Sequence, residues 1–217
     1  MIIDLHTHSI FSDGELIPSE LIRRAEVIGY RAIAITDHAD LSNIDFIIPR
    51  IVNICDELSS KLKIDAIPGI ELTHVPPSLI SKLEKKARKY GAKIVVVHGE
   101  TTVEPVTPGT NREALLSNID ILAHPGLITE EEVKIAKDRG IFLEITSRAG
   151  HSLTNGHVAR LATKIGARLV LNTDTHSPED LLTPQKAKFV GMGAGLSENE
   201  FNTIYKNSLE ILKRSKT

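Results

Sequence analysis

The sequence predicts an α/β protein built on a parallel sheet, and three observations predict it. Short, continuous apolar runs rich in β-branched residues recur along the 217 residues. Such runs suit parallel strands that are covered on both faces. Amphipathic segments with helical spacing lie between them, and a glycine precedes several of the runs. Glycine is favoured just past a helix end because the left-handed conformation costs it nothing. Seven βα units of roughly 30 residues fit the length, the usual size of such a unit. The sheet is then an open doubly wound sheet or a closed barrel. No Gly-rich phosphate loop follows the first run, which weakens the dinucleotide-binding version of the open sheet.

The first strand is expected over 2–6 and the first helix over 18–28, where Leu21, Ile22, Ala25 and Ile28 form one stripe. Gly29-Tyr30 ends that helix, and "RAIAIT" starts the second strand, over 31–37. A helix over 46–62 leads to a strand over 64–71. The next helix, over 77–90, has Leu83, Ala87 and Tyr90 on one face, and Gly91-Ala92 then passes into "KIVVV" and a strand over 92–98. A helix over 111–118 and a strand over 119–124 follow. Thr129 and Glu132 have capping-box spacing and open a helix over 129–139. Gly140 introduces "IFLEIT", a strand over 140–146. Val158, Leu161, Ala162 and Ile165 mark a helix over 154–165, and Gly166-Ala167 leads into the last strand, over 168–174. Residues 176–196 contain Pro178, Pro184, Gly191, Gly193 and Gly195 and read as a long loop with room for a short helix. Ser197 and Glu200 then cap a final helix over 197–213. No linker interrupts the pattern, so residues 1–217 read as one domain.

Apolar content of 41% and charged content of 25% are ordinary for a globular chain. The net charge of -2 and the 4% aromatic content argue against a nucleic-acid partner. One cysteine, Cys55, excludes an intramolecular disulfide and reads as a buried apolar residue on a helix. No run approaches the ~20 apolar residues of a membrane span, and no signal peptide is visible. A cytoplasmic protein without membrane contact is expected.

The unusual residues fall at strand ends. His6 and His8 end the first strand, His38 the second, Glu71 the third, His98 the fourth, His124 the fifth, and Asp174 and His176 the seventh. Asp13 lies in the loop after the first. In a barrel, all the C-terminal strand ends meet on one face, where active sites are built. Residues two apart on an extended chain share a face, so both members of His6-x-His8 and of Asp174-x-His176 can converge. Any one of these residues alone reads as a hydrogen-bonded structural group. Nine of them together would be very costly to bury uncompensated, and bound cations are the simplest compensation. Imidazole with carboxylate suits zinc, iron or manganese.

The stretches "DLHTHSIFSDG", "AITDH", "GIE", "VVVHG", "ILAHP" and "NTDTH" resemble, in order and over nearly the whole chain, the motifs of the polymerase-and-histidinol-phosphatase (PHP) family. The resemblance implies a distorted seven-stranded (β/α)7 barrel, TIM-barrel-like, with a trinuclear centre of two or three divalent ions at its C-terminal rim. It implies that His6, His8, Glu71 and Asp174 hold the first ion. Glu71 bridges to a second, completed by His98 and His124. Asp13, His38 and His176 form the third set. Some branches carry histidine where this chain has Asp13. Glu71, Asp174 and His176 are the residues expected to act in catalysis.

The chemistry that follows is hydrolysis of a small phosphorylated metabolite, histidinol-phosphatase-like, by a hydroxide held between two ions. Arg148, just past the sixth strand, and Arg112, at the start of the fourth helix, are candidate phosphate contacts. His151 and His157 read as cap or loop hydrogen-bonding residues, with pocket lining as the alternative, His74 as a loop residue and Asp4 as structural. Asp37 reads equally well as an orienting partner of a ligand histidine or as a structural group. Lys85, Lys86, Arg88 and Lys89 read as a solvated face. Three other functions compete: a nuclease or nucleotide phosphodiesterase, an amidohydrolase-like C–N hydrolase, and a non-catalytic metal-bearing scaffold. The C–N hydrolase would be expected to have a bridging lysine where the fourth strand here ends in His98.

Overall fold

The computed structural model describes residues 2–216. Its strands are β1 (Ile2–Asp4), β2 (Tyr30–Ile35), β3 (His38–Ala39), β4 (Asp65–Leu72), β5 (Ile94–His98), β6 (Ile121–Ala123), β7 (Phe142–Thr146) and β8 (Leu169–Asn172). Seven of them are neighbours in the order β1-β2-β4-β5-β6-β7-β8, and every pair is parallel. The two-residue β3 pairs with the end of β4, His38 against Glu71. The helices are α1 (Pro18–Ile28), α2 (Ile44–Ser59), α3 (Ile80–Lys89), α4 (Thr110–Leu116), α5 (Glu130–Arg139), α6 (Asn155–Ile165), α7 (Pro184–Gly193) and α8 (Glu198–Arg214). The architecture is a nearly closed, TIM-like barrel of seven parallel strands alternating with helices.

The barrel closes only at its C-terminal rim. Beyond β1 and β8, Thr7 and Thr175 form an isolated parallel bridge. The Asp174 N–H donates to the His6 carbonyl at 3.0 Å, and the His8 N–H to the Thr175 carbonyl at 2.8 Å. Below that bridge α8 packs on both β1 and β8, and its Ile211 and Leu212 join the inner core with Ile3 and Phe142. The first and last strands are therefore shorter than the apolar runs imply, while their extensions still carry the polar residues to the rim.

The strand period of two sorts residues between two cores. Ala32 and Ala34 of β2 face the inner core, while Ile33 and Ile35 pack against the helices. Ile94 and Val96 of β5 do the same inside, with Val95 and Val97 outside. Gly69 of β4 admits the close approach of its neighbours, since a Cβ there would lie 2.7 Å from Thr36 Cγ2 and 3.1 Å from the Ile94 carbonyl.

The expected helix ends are in place. Gly29, Gly140 and Gly166 are left-handed C-caps. Thr129 with Glu132 and Ser197 with Glu200 form capping boxes. Cys55 is buried on α2. A full helix, α7, occupies much of the stretch expected as a long loop. Thr183 caps it, Pro184 takes its first turn, and Gly191 lets it sit on α8, because a Cβ there would lie 2.4 Å from the Phe201 ring. No helix among the described residues is long and apolar enough to cross a membrane.

Candidate metal centre

Strand parity builds the site. Ile67, Gly69 and Glu71 share one face of β4, and Ile94, Val96 and His98 one face of β5. Glu71 and His98 are thus the polar continuation of inward-facing apolar columns. His124 and Asp174 arrive differently. Each has a left-handed backbone, φ 26° and φ 55°, at the end of its strand extension. Such conformations are strained for a residue with a Cβ and cluster at functional sites.

His6, His8, Glu71 and Asp174 meet as expected, and all four are buried. His6 Nε2 lies 3.3 Å from Glu71 Oε1, and His8 Nε2 lies 3.1 Å from Asp174 Oδ1. Glu71 divides its oxygens between neighbours: Oε1 faces His6 and, at 3.8 Å, His124, while Oε2 faces His8 at 3.7 Å and His38 at 2.6 Å. Asp174 does the same, with Oδ2 lying 3.6 Å from His124 Nε2. These two carboxylates touch every part of the cluster, the arrangement that bridging requires.

Among the described residues, seven buried side-chain N or O atoms have no hydrogen-bond partner. Six of them belong to this set: His6 Nε2, both ring nitrogens of His8, Glu71 Oε1, His124 Nδ1 and Asp174 Oδ1. Buried polar atoms are normally satisfied, and these converge without hydrogen-bond geometry. The donor set fits a divalent cation.

Charge makes the same point. The buried carboxylates Glu71, Asp174 and Glu144 stand together, and no lysine or arginine is among the buried residues. Burial alone would raise the Asp174 carboxyl, yet His6, His8 and His124 hold it below the usual carboxylate range. Burial and His38 push His8 down to about 3, and burial and His98 push His124 well down, so both rings are neutral and able to ligate near pH 7. Burial disfavours the His6 cation, but Glu144, Asp174 and Glu71 outweigh it and raise that pKa well above normal. The carboxylates require a positive charge at their centre, whether a proton on His6 or a cation.

Asp13, His38 and His176 also come together, with His8 beside them. Asp13 Oδ1 lies 3.4 Å from His38 Nε2 and 3.2 Å from His176 Nε2. His176 Nδ1–H donates to the Asp174 carbonyl at 2.8 Å, which aims its Nε2 at Asp13. Asp37 pins the loop that carries Asp13, accepting from Ser9 N at 2.7 Å, Ser9 Oγ at 2.8 Å and Ser12 Oγ at 2.8 Å. Of the two readings of Asp37, the structural one holds. Gly14 keeps the same loop tight, since a Cβ would lie 2.4 Å from the His8 carbonyl.

His98 and His124 meet with ring centroids 4.5 Å apart. Their company includes two residues that the sequence did not single out as ligands. His151 is buried and stacks on His124 at 4.2 Å, so it belongs to the cluster rather than to a cap. Glu104, on the loop after β5, faces three histidines: His74 at 3.0 Å, His98 at 3.2 Å and His151 at 3.3 Å. A third unforeseen residue, Glu144, accepts from His6 Nδ1–H at 2.9 Å and from Asn172 Nδ2 at 2.7 Å. Its signal was present: in "IFLEIT" it falls two residues after Phe142, on the inward face. Glu104 had no such signal, because its loop has no period.

The two arginines sit apart from this cluster. Arg148 bonds Asp180 at 3.3 Å, and the same Asp180 oxygen accepts from the His176 N–H at 2.9 Å. Arg112 is exposed and pairs with Glu131 of α5 at 2.9 Å. His157 makes the expected loop hydrogen bond, 2.7 Å to the Ile128 carbonyl. Asp4 accepts from Thr173 Oγ1–H at 2.6 Å, as a structural residue would.

The profile of the PHP domain family matches residues 4–129, more than half the chain. The chain belongs to the PHP domain family. An uncharacterized protein of Methanocaldococcus jannaschii is 54% identical over 217 residues, covering 99% of this chain and 100% of that one. Ribonuclease P protein component 3 of Methanosarcina barkeri is 28% identical, covering 91% of this chain and 82% of that one. A histidinol phosphate phosphatase from Lactococcus lactis, crystallised with zinc, L-histidinol and phosphate, has a similar fold, with a TM-score of 0.64 at 20% identity over 90% of this chain and 94% of that one. A PHP relative named for ribonuclease P removes the support for expecting no nucleic-acid partner.

Proposed function

We propose that the chain is a single-domain, metal-dependent phosphoesterase acting on a small phosphorylated metabolite. The observation that carries the reading is the set of six orphaned, buried ligand atoms on His6, His8, Glu71, His124 and Asp174. Divalent cations held there would supply an acidified water as nucleophile and positive charge for the phosphoryl oxygens. In this reading His6, His8, Glu71 and Asp174 hold one ion, Glu71, His98 and His124 a second, and Asp13, His38 and His176 a third. Zinc, manganese and iron all suit these donors.

The chain's own residues have separable tasks. Glu71 and Asp174 fix the spacing of the positions, because each divides its two oxygens between different histidines. Glu144 orients His6 through Nδ1 and keeps its Nε2 turned inward. His176 stands at the half-exposed Asp13 edge, where substrate enters and a leaving group departs. Arg148 is tethered to that edge through Asp180 and is the substrate contact we favour. Arg112 serves only if its pair with Glu131 opens.

A second reading, a nuclease or nucleotide phosphodiesterase, is favoured by the Methanosarcina barkeri relative named as a ribonuclease P component. Chromogenic phosphate monoesters and diesters, assayed with metal content measured on the same sample, separate the two. Monoester cleavage by metal-loaded protein is expected. Diester preference would move the second reading to first place. Full metal loading with neither activity would support a scaffold, against which the intact ligand set argues.

A further inference from the structure

We infer that His151 and Glu104 join Glu71, His98 and His124 around one zinc-type divalent cation, so that the second position of the centre has two ligands beyond those its motifs supply. The inference rests on the metal-dependent reading above and deepens it. One ring nitrogen from each of His98, His124 and His151 lies within 4.8 Å of the other two, and all three residues are buried. Imidazole and carboxylate are both ordinary zinc donors.

His151 is built for the task. The 3-10 turn His151–Thr154 follows β7 and presents the ring beneath the loop after β5. Its Nδ1 is hydrogen-bonded to Thr101 Oγ1 at 2.7 Å, which leaves Nε2 as the free nitrogen. That Nε2 faces Glu104 Oε1 at 3.3 Å. His98 is oriented in the same way. Its Nδ1–H donates to the Gly99 carbonyl at 3.1 Å, and its Nε2 faces Glu104 Oε2 at 3.2 Å. His124 completes the trio, and its Nε2 lies 3.8 Å from Glu71 Oε1.

Glu104 covers the open side. It is the least buried member of the set, and it adds a second carboxylate to the one that Glu71 brings. Its loop is fixed rather than loose. Glu100 accepts from the N–H groups of Gly109 at 3.0 Å and Asn111 at 2.9 Å, and Asn111 in turn anchors to the Pro125 carbonyl at 2.9 Å. A Cβ on Gly126 would lie 1.8 Å from the Glu100 carbonyl, so the two loops are in direct backbone contact.

One other grouping competes. His74, His98 and Glu104 also lie within 4.8 Å of one another. His98 has only its Nε2 to give, because Nδ1 is committed to Gly99. The inner and outer positions therefore exclude each other. The inner one is dry and includes the orphaned His124 ring, whereas His74 is exposed.

The test counts metal rather than turnover. The full chain is stripped, reloaded with Zn(II) or Co(II), and analysed for equivalents bound and for affinity by chelator competition. His124→Ala serves as the reference for loss of this equivalent. His151→Ala is expected to lose the same equivalent or to weaken it about 100-fold, and Glu104→Gln to weaken it about 10-fold, the range by which metal-site partners act. His74→Ala is expected to keep it. Circular dichroism establishes that each variant is folded. Should His151→Ala fail to fold, His151→Gln takes its place, and His124→Ala with His74→Ala decides between the inner and outer positions, since His98 and Glu104 belong to both. Wild-type affinity in folded His151→Ala, or loss of the equivalent in His74→Ala with retention in His151→Ala, overturns the inference. A wild-type chain that binds no divalent cation overturns the phosphoesterase reading instead.

Discussion

In the proposed centre Glu144 would touch a ligand rather than the metal, and Glu144→Gln isolates its contribution. Glu144 is fully buried; its Oε2 accepts from His6 Nδ1–H at 2.9 Å and Asn172 Nδ2 at 2.7 Å, and its Oε1 has no partner. Glutamine preserves the shape and one acceptor oxygen, so both hydrogen bonds survive. What it removes is the charge that makes His6 a stronger base. Loss of such a partner lowers metal affinity about 10- to 100-fold, or ~1.4–2.8 kcal/mol. Fold stability without metal should change little, because two effects oppose. The new amide N–H lies buried and unpaired, costing ~1–3 kcal/mol. Removing a carboxylate from a buried site, where desolvation raises its pKa, acts in the opposite direction. The assay is thermal unfolding with and without excess Zn(II), beside chelator competition. At fixed excess metal, each tenfold weakening removes ~1.4 kcal/mol of ligand-linked stability. For a chain of this size that is roughly 3–6 °C of metal-dependent Tm shift per decade. The expected result is a smaller metal-induced shift with an unchanged metal-free Tm. An unchanged shift would refute the role assigned to Glu144. A collapsed metal-free Tm would show instead that its contribution is to the fold.

Three further outcomes are expected. Asp174→Asn, which tolerates the left-handed backbone, should abolish hydrolysis and reduce bound metal while the far-ultraviolet spectrum stays native; full activity in metal-verified protein would remove Asp174 from the centre. Asp4, raised by burial to about 7, binds its proton more tightly folded than unfolded, so its contribution is full below pH ~4 and is lost as pH rises through about 7, up to ~4 kcal/mol. Asp4→Asn should flatten that part of the stability–pH curve measured by urea unfolding, and a slope identical to wild type would assign the titration elsewhere. Arg148→Ala should mainly raise KM for phosphorylated substrates, with kcat little changed, and an unchanged KM would leave Arg148 as the partner of Asp180 alone.

The sequence made most of the fold legible because βα units repeat the same local logic. Gly29, Gly140 and Gly166 stop helices for a reason visible in one residue, and Thr129 and Ser197 start them for a reason visible in four. What was hidden depends on contacts between distant segments. α7 forms in a stretch with two interior glycines because Gly191 meets Phe201 of α8. The strand extensions past β1 and β8 are joined by one bridge, Thr7 to Thr175, that no local pattern announces. The same division holds in the site. His6, His8, Glu71, His98, His124 and Asp174 were legible because each interrupts an apolar run at its end. His151 and Glu104 lie in loops, where chemistry leaves no period to interrupt.

The strained residues explain why strand parity alone could not have placed the whole centre. Ile121 and Ala123 of β6 face the inner core, so an extended His124 would point outward, away from Glu71. Its left-handed φ of 26° turns the ring back to the axis. Asp174 shares its parity with Val170 and already faces inward, but a φ of 55° swings its carboxylate between His8 and His124. Conformations of this kind cost ~1–3 kcal/mol each and persist only where the surroundings over-determine them. For Asp174 the surroundings are the rim bonds between its N–H and the His6 carbonyl and between His8 N–H and the Thr175 carbonyl; for His124 they are the bonds from Gly99 N–H to the Ala123 carbonyl and from Gly126 N–H to the His124 carbonyl. At Asp174 the incomplete closure of the barrel and the backbone strain are therefore one feature. Closing the sheet only at the rim lets the chain bend there, and that bend brings the Asp174 carboxylate between His8 and His124.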